Sequence, residues 1–183
     1  IKINVYEREP GVSPATLAKV AAKGVRNGEL NPMAWRRRAL SEREIAGSAM
    51  LSYPPTQYMF CPPGEGGVAL VLCRADRAAD YTDKPIYLRS AVVRSRKFGS
   101  FEVMAPHLAP ERSEGPTFTA SRAAFEAAGV GPADVDVAQL QDTEVGAEIM
   151  HMAENGFCEH GEQEQMIAEG QTEITGRFPV NTD

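Results

Sequence analysis

A chain of 183 residues with 43% hydrophobic content is long enough to bury a real core as one domain or two small ones. No run approaches the ~20 apolar residues of a membrane-spanning helix, and the formal charge of −6 is spread so that Arg177 is the only base after Gln141; neither a membrane nor nucleic acid, which is met by a basic stripe, is an expected partner. Three scattered cysteines, Cys61, Cys73 and Cys158, point to reduced thiols and a cytoplasmic protein rather than a disulfide framework.

In chain order, Ile1–Tyr6 reads as a strand. Ser13-Pro14 is a helix start, with Ser13 as the capping oxygen and Pro14 in the first turn, where its missing N–H costs nothing. The helix turns Leu17, Val20, Ala21 and Val25 inward, and Gly28 is its expected stop. A loop follows over residues 31–35, then the triplet Arg36, Arg37 and Arg38. Guanidinium forks suit the phosphates of a nucleotide-like ligand, while the plain alternative for a charge run on a loop is solvated surface. Ser41 and Glu44 have capping-box spacing for a short helix to about Ala46. Pro54, Pro55, Pro62 and Pro63 make the next stretch irregular. From Gly66 to Cys73 the apolar run reads as a strand buried on both faces, opened by a tight turn at Glu65-Gly66-Gly67. Cys73 is then a small buried hydrophobe, and Cys61 a loop thiol with no histidine nearby in sequence. Residues 75–83 connect to a second extended segment carrying Ile86, Leu88, Ala91 and Val93. The stretch from Phe98 to Pro116, with Pro106 and Pro110, reads as a long binding or mobile loop.

The last third is the most structured in chemistry. A helix over Ser121–Ala128 stops at Gly129, Gly131-Pro132 turns the chain, and Val135, Val137 and Leu140 form a short strand. That strand delivers Gln141, Asp142 and Thr143 onto a helix start, a common mounting point for reactive groups. The helix places Val145, Ile149 and Met152 on one face and Glu144, Glu148, His151 and Asn155 on the other, and Gly156 ends it. Gln141, Asp142 and Glu144 are the candidate catalytic residues; the plain alternative is that Gln141 and Asp142 only satisfy backbone groups at the turn. His151, Cys158, His160 and Glu162 are metal-ligand types whose spacing fits no standard zinc pattern, so a solvated helix end is expected there and no metal.

Asp134, Val135, Asp136, Leu140, Asp142, Gly156, Phe157, Cys158, Gly161, Glu162, Pro179, Val180 and Asn181 follow one another in the order and spacing of a known pattern. On these residues the chain resembles the thiolase superfamily, in its sterol-carrier-protein or lipid-transfer-protein branch. One departure bears on chemistry: Gln141 stands where the family places histidine, and Thr143 and Glu144 replace the Cys and Phe that follow it. The resemblance implies an α/β chain that is part of a thiolase-like fold of two similar αβαβα half-domains with mixed sheets, incomplete at both ends. Residues 1–83 would close the N-terminal half-domain with its loop insert, and 84–183 would open the C-terminal one. The family's nucleophilic cysteine and its later Gly-His-Pro and Cys-x-Gly loops fall outside these residues, so a protein roughly twice as long is expected.

The function so implied is that of an acyl-CoA enzyme. It makes or breaks a C–C bond near the thioester in lipid or steroid side-chain degradation, as an acyltransferase or a retro-aldolase. Coenzyme A thioester is its substrate, no cofactor is tightly bound, and a homodimer with a small OB-fold partner protein is expected. In the family the residue at position 141 helps bind the thioester carbonyl oxygen; Gln141 retains an amide donor for that oxygen but cannot shuttle protons. Glu144 or a residue outside the chain would be the base, and Arg36, Arg37 and Arg38 would meet the coenzyme A phosphates. The alternative is a non-catalytic thiolase-like subunit that binds acyl-CoA or scaffolds a partner enzyme.

Overall fold

In the computed structural model of the chain, residues 11–96 and 115–183 are described. The strand expected at Ile1–Tyr6 and nearly all of the loop expected from Phe98 onward lie outside them. Helix α1 spans Pro14–Leu30, with Ser13 accepting from Thr16 N and Pro14 in the first turn. Leu17, Val20, Ala21 and Val25 are buried as its periodicity requires. The helix runs through Gly28 and ends at Asn31, whose N–H donates to Gly28 O at 3.2 Å. Gly28 answers a packing need instead of a stop: a Cβ there would lie 2.7 Å from Arg36 O. Gly28→Ala therefore pushes the 34–36 loop off α1, with an expected loss of about 1–3 kcal/mol, the usual cost of overpacking. Denaturant unfolding checks this, and an unchanged midpoint would show that the loop shifts freely.

Helix α2, Glu42–Ala46, carries the expected reciprocal cap: Ser41 Oγ accepts from Glu44 N at 3.2 Å and Ser41 N donates to Glu44 Oε2 at 2.8 Å. Ile45 of α2 is fully buried against α1. Helix α3, Pro116–Ala128, begins earlier than expected, with Pro116 in its first turn. It ends at Gly129, whose φ of +69° is the left-handed cap that glycine adopts without strain. Helix α4, Val145–Glu154, and helix α5, Gln163–Ala168, complete the set.

Two apolar clusters meet at α4. Val145 and Ile149 join Leu17, Val20, Val25, Ile45 and Met59, while Met152 packs with Met166, Phe178 and Val180. In the second cluster the Phe157 and Phe178 rings lie 4.7 Å apart. Polar ties then lace α1 to the C-terminal third. Ser13 donates to Glu164 through N (2.9 Å) and Oγ (2.8 Å), Lys19 Nζ to Ala168 O (2.7 Å), and Arg26 to both oxygens of Glu173 (2.8 Å each).

The strands are where expectation and structure part. Among the described residues there is no regular strand, only isolated bridges. The Val135–Leu140 strand reduces to one parallel bridge, Ala138 beside Val180. The Gly66–Cys73 strand, expected to be buried on both faces, stands in solvent, with Val68 and Val71 each 92% exposed and Cys73 exposed. Ile86, Leu88 and Val93 are exposed as well. Apolar composition records a preference for burial between layers, but hydrogen-bonded neighbours make a strand, and among the described residues neither segment has a bridge partner. Among the described residues no helix is long and apolar enough to cross a membrane.

Candidate functional site

The bridge between Phe60 and Glu144, with Cys61 N donating to Thr143 O at 3.0 Å, lays the 58–62 segment antiparallel to the turn that opens α4. Between this pair, α1 and the C-terminal segment lies a cavity of about 240 Å³. Its wall is apolar at Val20, Val25, Met59 and Val145 and polar at Arg36, Asp142, Glu148 and Asn181. An apolar cleft with a few convergent polar groups is the usual form of a small-molecule site.

The basic triplet divides. Arg36 reaches the cavity, with its guanidinium carbon 5.7 Å from the Tyr58 ring centroid and Nη1 donating to Phe60 O at 3.4 Å. Arg37 points to solvent, and Arg38 pairs with Glu44 at 3.4 Å on the surface.

The carboxyl candidates divide too. Asp142 sits at the cavity rim, where solvent reaches the residue. Partial burial of its carboxyl, and then the neighbouring Asp183, push it above the usual aspartate range, with Lys23 pulling the other way. Glu144 caps α4, its Oε2 accepting from Gly146 N at 2.8 Å, so that oxygen serves the helix start. Gln141 is exposed and is not among the cavity-lining residues: Nε2 donates to Thr143 Oγ1 at 2.7 Å, and Oε1 lies 3.2 Å from His151 Nε2. His151 Nδ1 in turn lies 2.8 Å from Glu154 Oε2. The structure thus brings His151 to Gln141 rather than leaving it on a solvated helix end. The spacing of His151 and Glu154, three apart on one helix, signals their own pairing and not the contact with Gln141.

Glu148 corrects the expected solvent face of α4. It is 2% exposed and forms an ion pair with Lys23 of α1, which is equally buried. Burial pushes its carboxyl up, against the pull of Lys23 and of hydrogen bonds from Lys23 and Asn181. The sequence offered no local sign of this, because the partner lies 125 positions away. Of the thiols, Cys61 lines the cavity and is exposed. Cys158 is half-buried, and burial, then Glu162 and Glu159, push it up to about 11, which suits a packing thiol and not a nucleophile. Among the described residues no group of three or more His, Cys, Asp and Glu side chains is placed to hold a metal.

Residues 109–183 match the family described as thiolase C-terminal domain-like. The chain is 30% identical to an acetyl-CoA acetyltransferase of Methanothermobacter thermautotrophicus, over 94% of this chain and 44% of that protein. It is 27% identical to a steroid side-chain-cleaving aldolase of Thermomonospora curvata, over 97% of this chain and 45% of that protein. A solved Ltp2-ChsH2(DUF35) aldolase superposes with a TM-score of 0.87 at 25% identity, covering 98% of this chain and 47% of that one. The chain therefore has a thiolase-like fold, as its motifs imply, and spans less than half the length of the curated relatives it matches.

Proposed function

We propose that the protein carrying this thiolase-like chain is an acyl-CoA enzyme that makes or breaks a C–C bond beside the thioester of a lipid or steroid side chain. The observation that carries the reading is the cavity shared by Arg36 and Asp142. A guanidinium at one wall suits coenzyme A phosphate, and a carboxyl raised by partial burial at another is a stronger base than an ordinary aspartate. In the retro-aldol direction Asp142 takes the β-hydroxyl proton as the C–C bond breaks and a ketone or aldehyde leaves. The electron pair moves to the α-carbon and onto the thioester oxygen, and the α-carbon then takes a proton, from Asp142 or water, to leave the shortened acyl-CoA; Gln141 stabilises the oxygen only if its amide turns from Thr143 and His151 into the cavity. Acyl transfer would instead need a thiolate to carry the acyl group; the raised Cys158 thiol is not that group, and the assay below decides between the two directions.

Residues 1–83 and 84–183 contribute to two half-domains of the same site. The protein works without a tightly held cofactor, as a homodimer with a small OB-fold protein as partner. The similarity to a steroid side-chain-cleaving aldolase and to the Ltp2-ChsH2(DUF35) aldolase supports this reading.

The test is an assay of the full-length protein, with any co-purifying partner, on two substrates: a steroid side-chain β-hydroxyacyl-CoA, and a β-ketoacyl-CoA with free coenzyme A. Ketone or aldehyde release from the first alone supports retro-aldol cleavage. Coenzyme-dependent cleavage of the second alone overturns it in favour of acyl transfer, and turnover of neither with binding retained leaves the scaffolding role. Gln141→Ala slows the reaction by about 10²-fold if its amide meets the developing oxyanion; unchanged turnover removes Gln141 from the chemistry.

A further inference from the structure

Asn181 is, among the described residues, the only non-glycine with positive φ, at +51°. Asparagine tolerates this left-handed conformation better than most residues, and such positions collect where geometry is tightly determined. The residue is 5% exposed, and every polar group it has is used. Its N–H donates to Ala138 O at 2.9 Å, and its carbonyl accepts from Asn27 Nδ2 at 2.9 Å. Its Nδ2 donates to Glu148 Oε2 at 3.0 Å, and its Oδ1 accepts from Leu140 N at 2.7 Å. The amide orientation is set by Leu140, because a backbone N–H only donates and must meet Oδ1.

One side chain therefore joins α4 to the residue directly before Gln141 and Asp142. Behind it, Lys23 Nζ donates to Glu148 and, at 2.8 Å, to Val180 O. The same Asn181 lines the cavity together with Asp142 and Glu148. A buried ion pair is weak support for stability by itself, since apolar replacements of such pairs are often as stable. What this one has is connection: through Asn181 it reaches the backbone that presents the cavity carboxyl.

We propose that Asn181, anchored on the Lys23–Glu148 pair, is a positioning residue that fixes Leu140 and so sets where the Gln141–Asp142 turn meets the cavity. The inference rests on the acyl-CoA reading only for the reaction it serves. Three variants of the full-length protein separate the possibilities. Asn181→Gly keeps the left-handed backbone at no steric cost while removing both side-chain bonds. Asn181→Asp keeps an acceptor for Leu140 N but sets a carboxylate against Glu148. The double variant E148Q/N181D reverses donor and acceptor between the two positions and keeps the Leu140 bond.

Hydrogen-exchange mass spectrometry and steady-state kinetics are the readouts. For Asn181→Gly, exchange over residues 140–142 speeds up by about tenfold or more while α1 and α4 stay protected. Its kcat falls by about tenfold or more with KM within about twofold, the pattern of a misplaced catalytic group. N181D alone falls between, and E148Q/N181D restores both readouts. Unchanged exchange over 140–142 overturns the proposal, as does equal acceleration throughout α1 and α4, or faster local exchange with kcat intact. If the wild-type protein turns over neither acyl-CoA, the functional reading fails, and the exchange pattern alone decides the positioning role.

Discussion

Asp142→Asn slows the C–C bond reaction by about 10²–10⁴-fold, the range a positioned acid or base supplies, and at the same time makes the protein more stable at neutral pH. Both effects come from one carboxyl. Among the candidate carboxyls, Asp142 faces the cavity while Glu144 is taken up at the start of α4. Burial, then Asp183, raise the Asp142 carboxyl above its ordinary value. The folded state therefore holds its proton more tightly than the unfolded chain. The stabilising contribution of such a group is fully present below the ordinary aspartate range and is lost as pH rises through the raised value. Above that value the wild-type protein carries a penalty that asparagine removes. Melting curves of the two proteins should coincide under acid conditions below the aspartate range and separate toward neutrality, the variant melting higher. A variant that melts lower at neutral pH, or that turns over at the wild-type rate, would take Asp142 out of the site.

Lys23→Met costs about 3–5 kcal/mol of stability, the usual penalty for removing one partner of a buried pair. Lys23 and Glu148 are each 2% exposed, so little solvent screening softens the loss. The substitution leaves the buried Glu148 carboxyl without its cation and takes the donor from Val180 O. Glu148 then holds a proton more tightly than before, and the deficit grows as pH rises above the ordinary glutamate range. Removing the carboxyl as well, in Lys23→Met with Glu148→Leu, recovers part of the loss. The recovery is incomplete because Val180 O and Asn181 Nδ2 still lack partners. Denaturant unfolding of the two single variants and the double closes the cycle. A Lys23→Met loss below about 1 kcal/mol would be that of a solvated surface pair and would contradict the burial.

Local structure was legible wherever a hydrogen bond closes within a turn. The Ser13 cap, the Ser41–Glu44 box and the stops at Gly129 and Gly156 are of this kind, and each stands where its residues predict. The apolar stripe Val145, Ile149 and Met152 was legible for the same reason, since helical period alone assigns it to one face. The resemblance carried by Pro179-Val180-Asn181 and the turn at Asp142 pointed to the thiolase-like fold that the comparisons show.

What the sequence by itself determined is thus the caps, the helix stripes, the family pattern and the residue types at the candidate turn. These depend on neighbours within a few positions, or on order along the chain. Tertiary structure alone decided that Gly28 serves a close approach rather than a stop, that Glu148 is buried on Lys23, that His151 meets Gln141, and that Asp142 rather than Gln141 or Glu144 faces the cavity. It also left the 66–73 run without a bridge partner among the described residues. Periodicity says which way a side chain points but not what covers it. A polar residue on the outer face of a helix is solvated or buried according to a partner that can lie more than a hundred residues away, and an apolar run becomes a strand only when another segment supplies its hydrogen bonds.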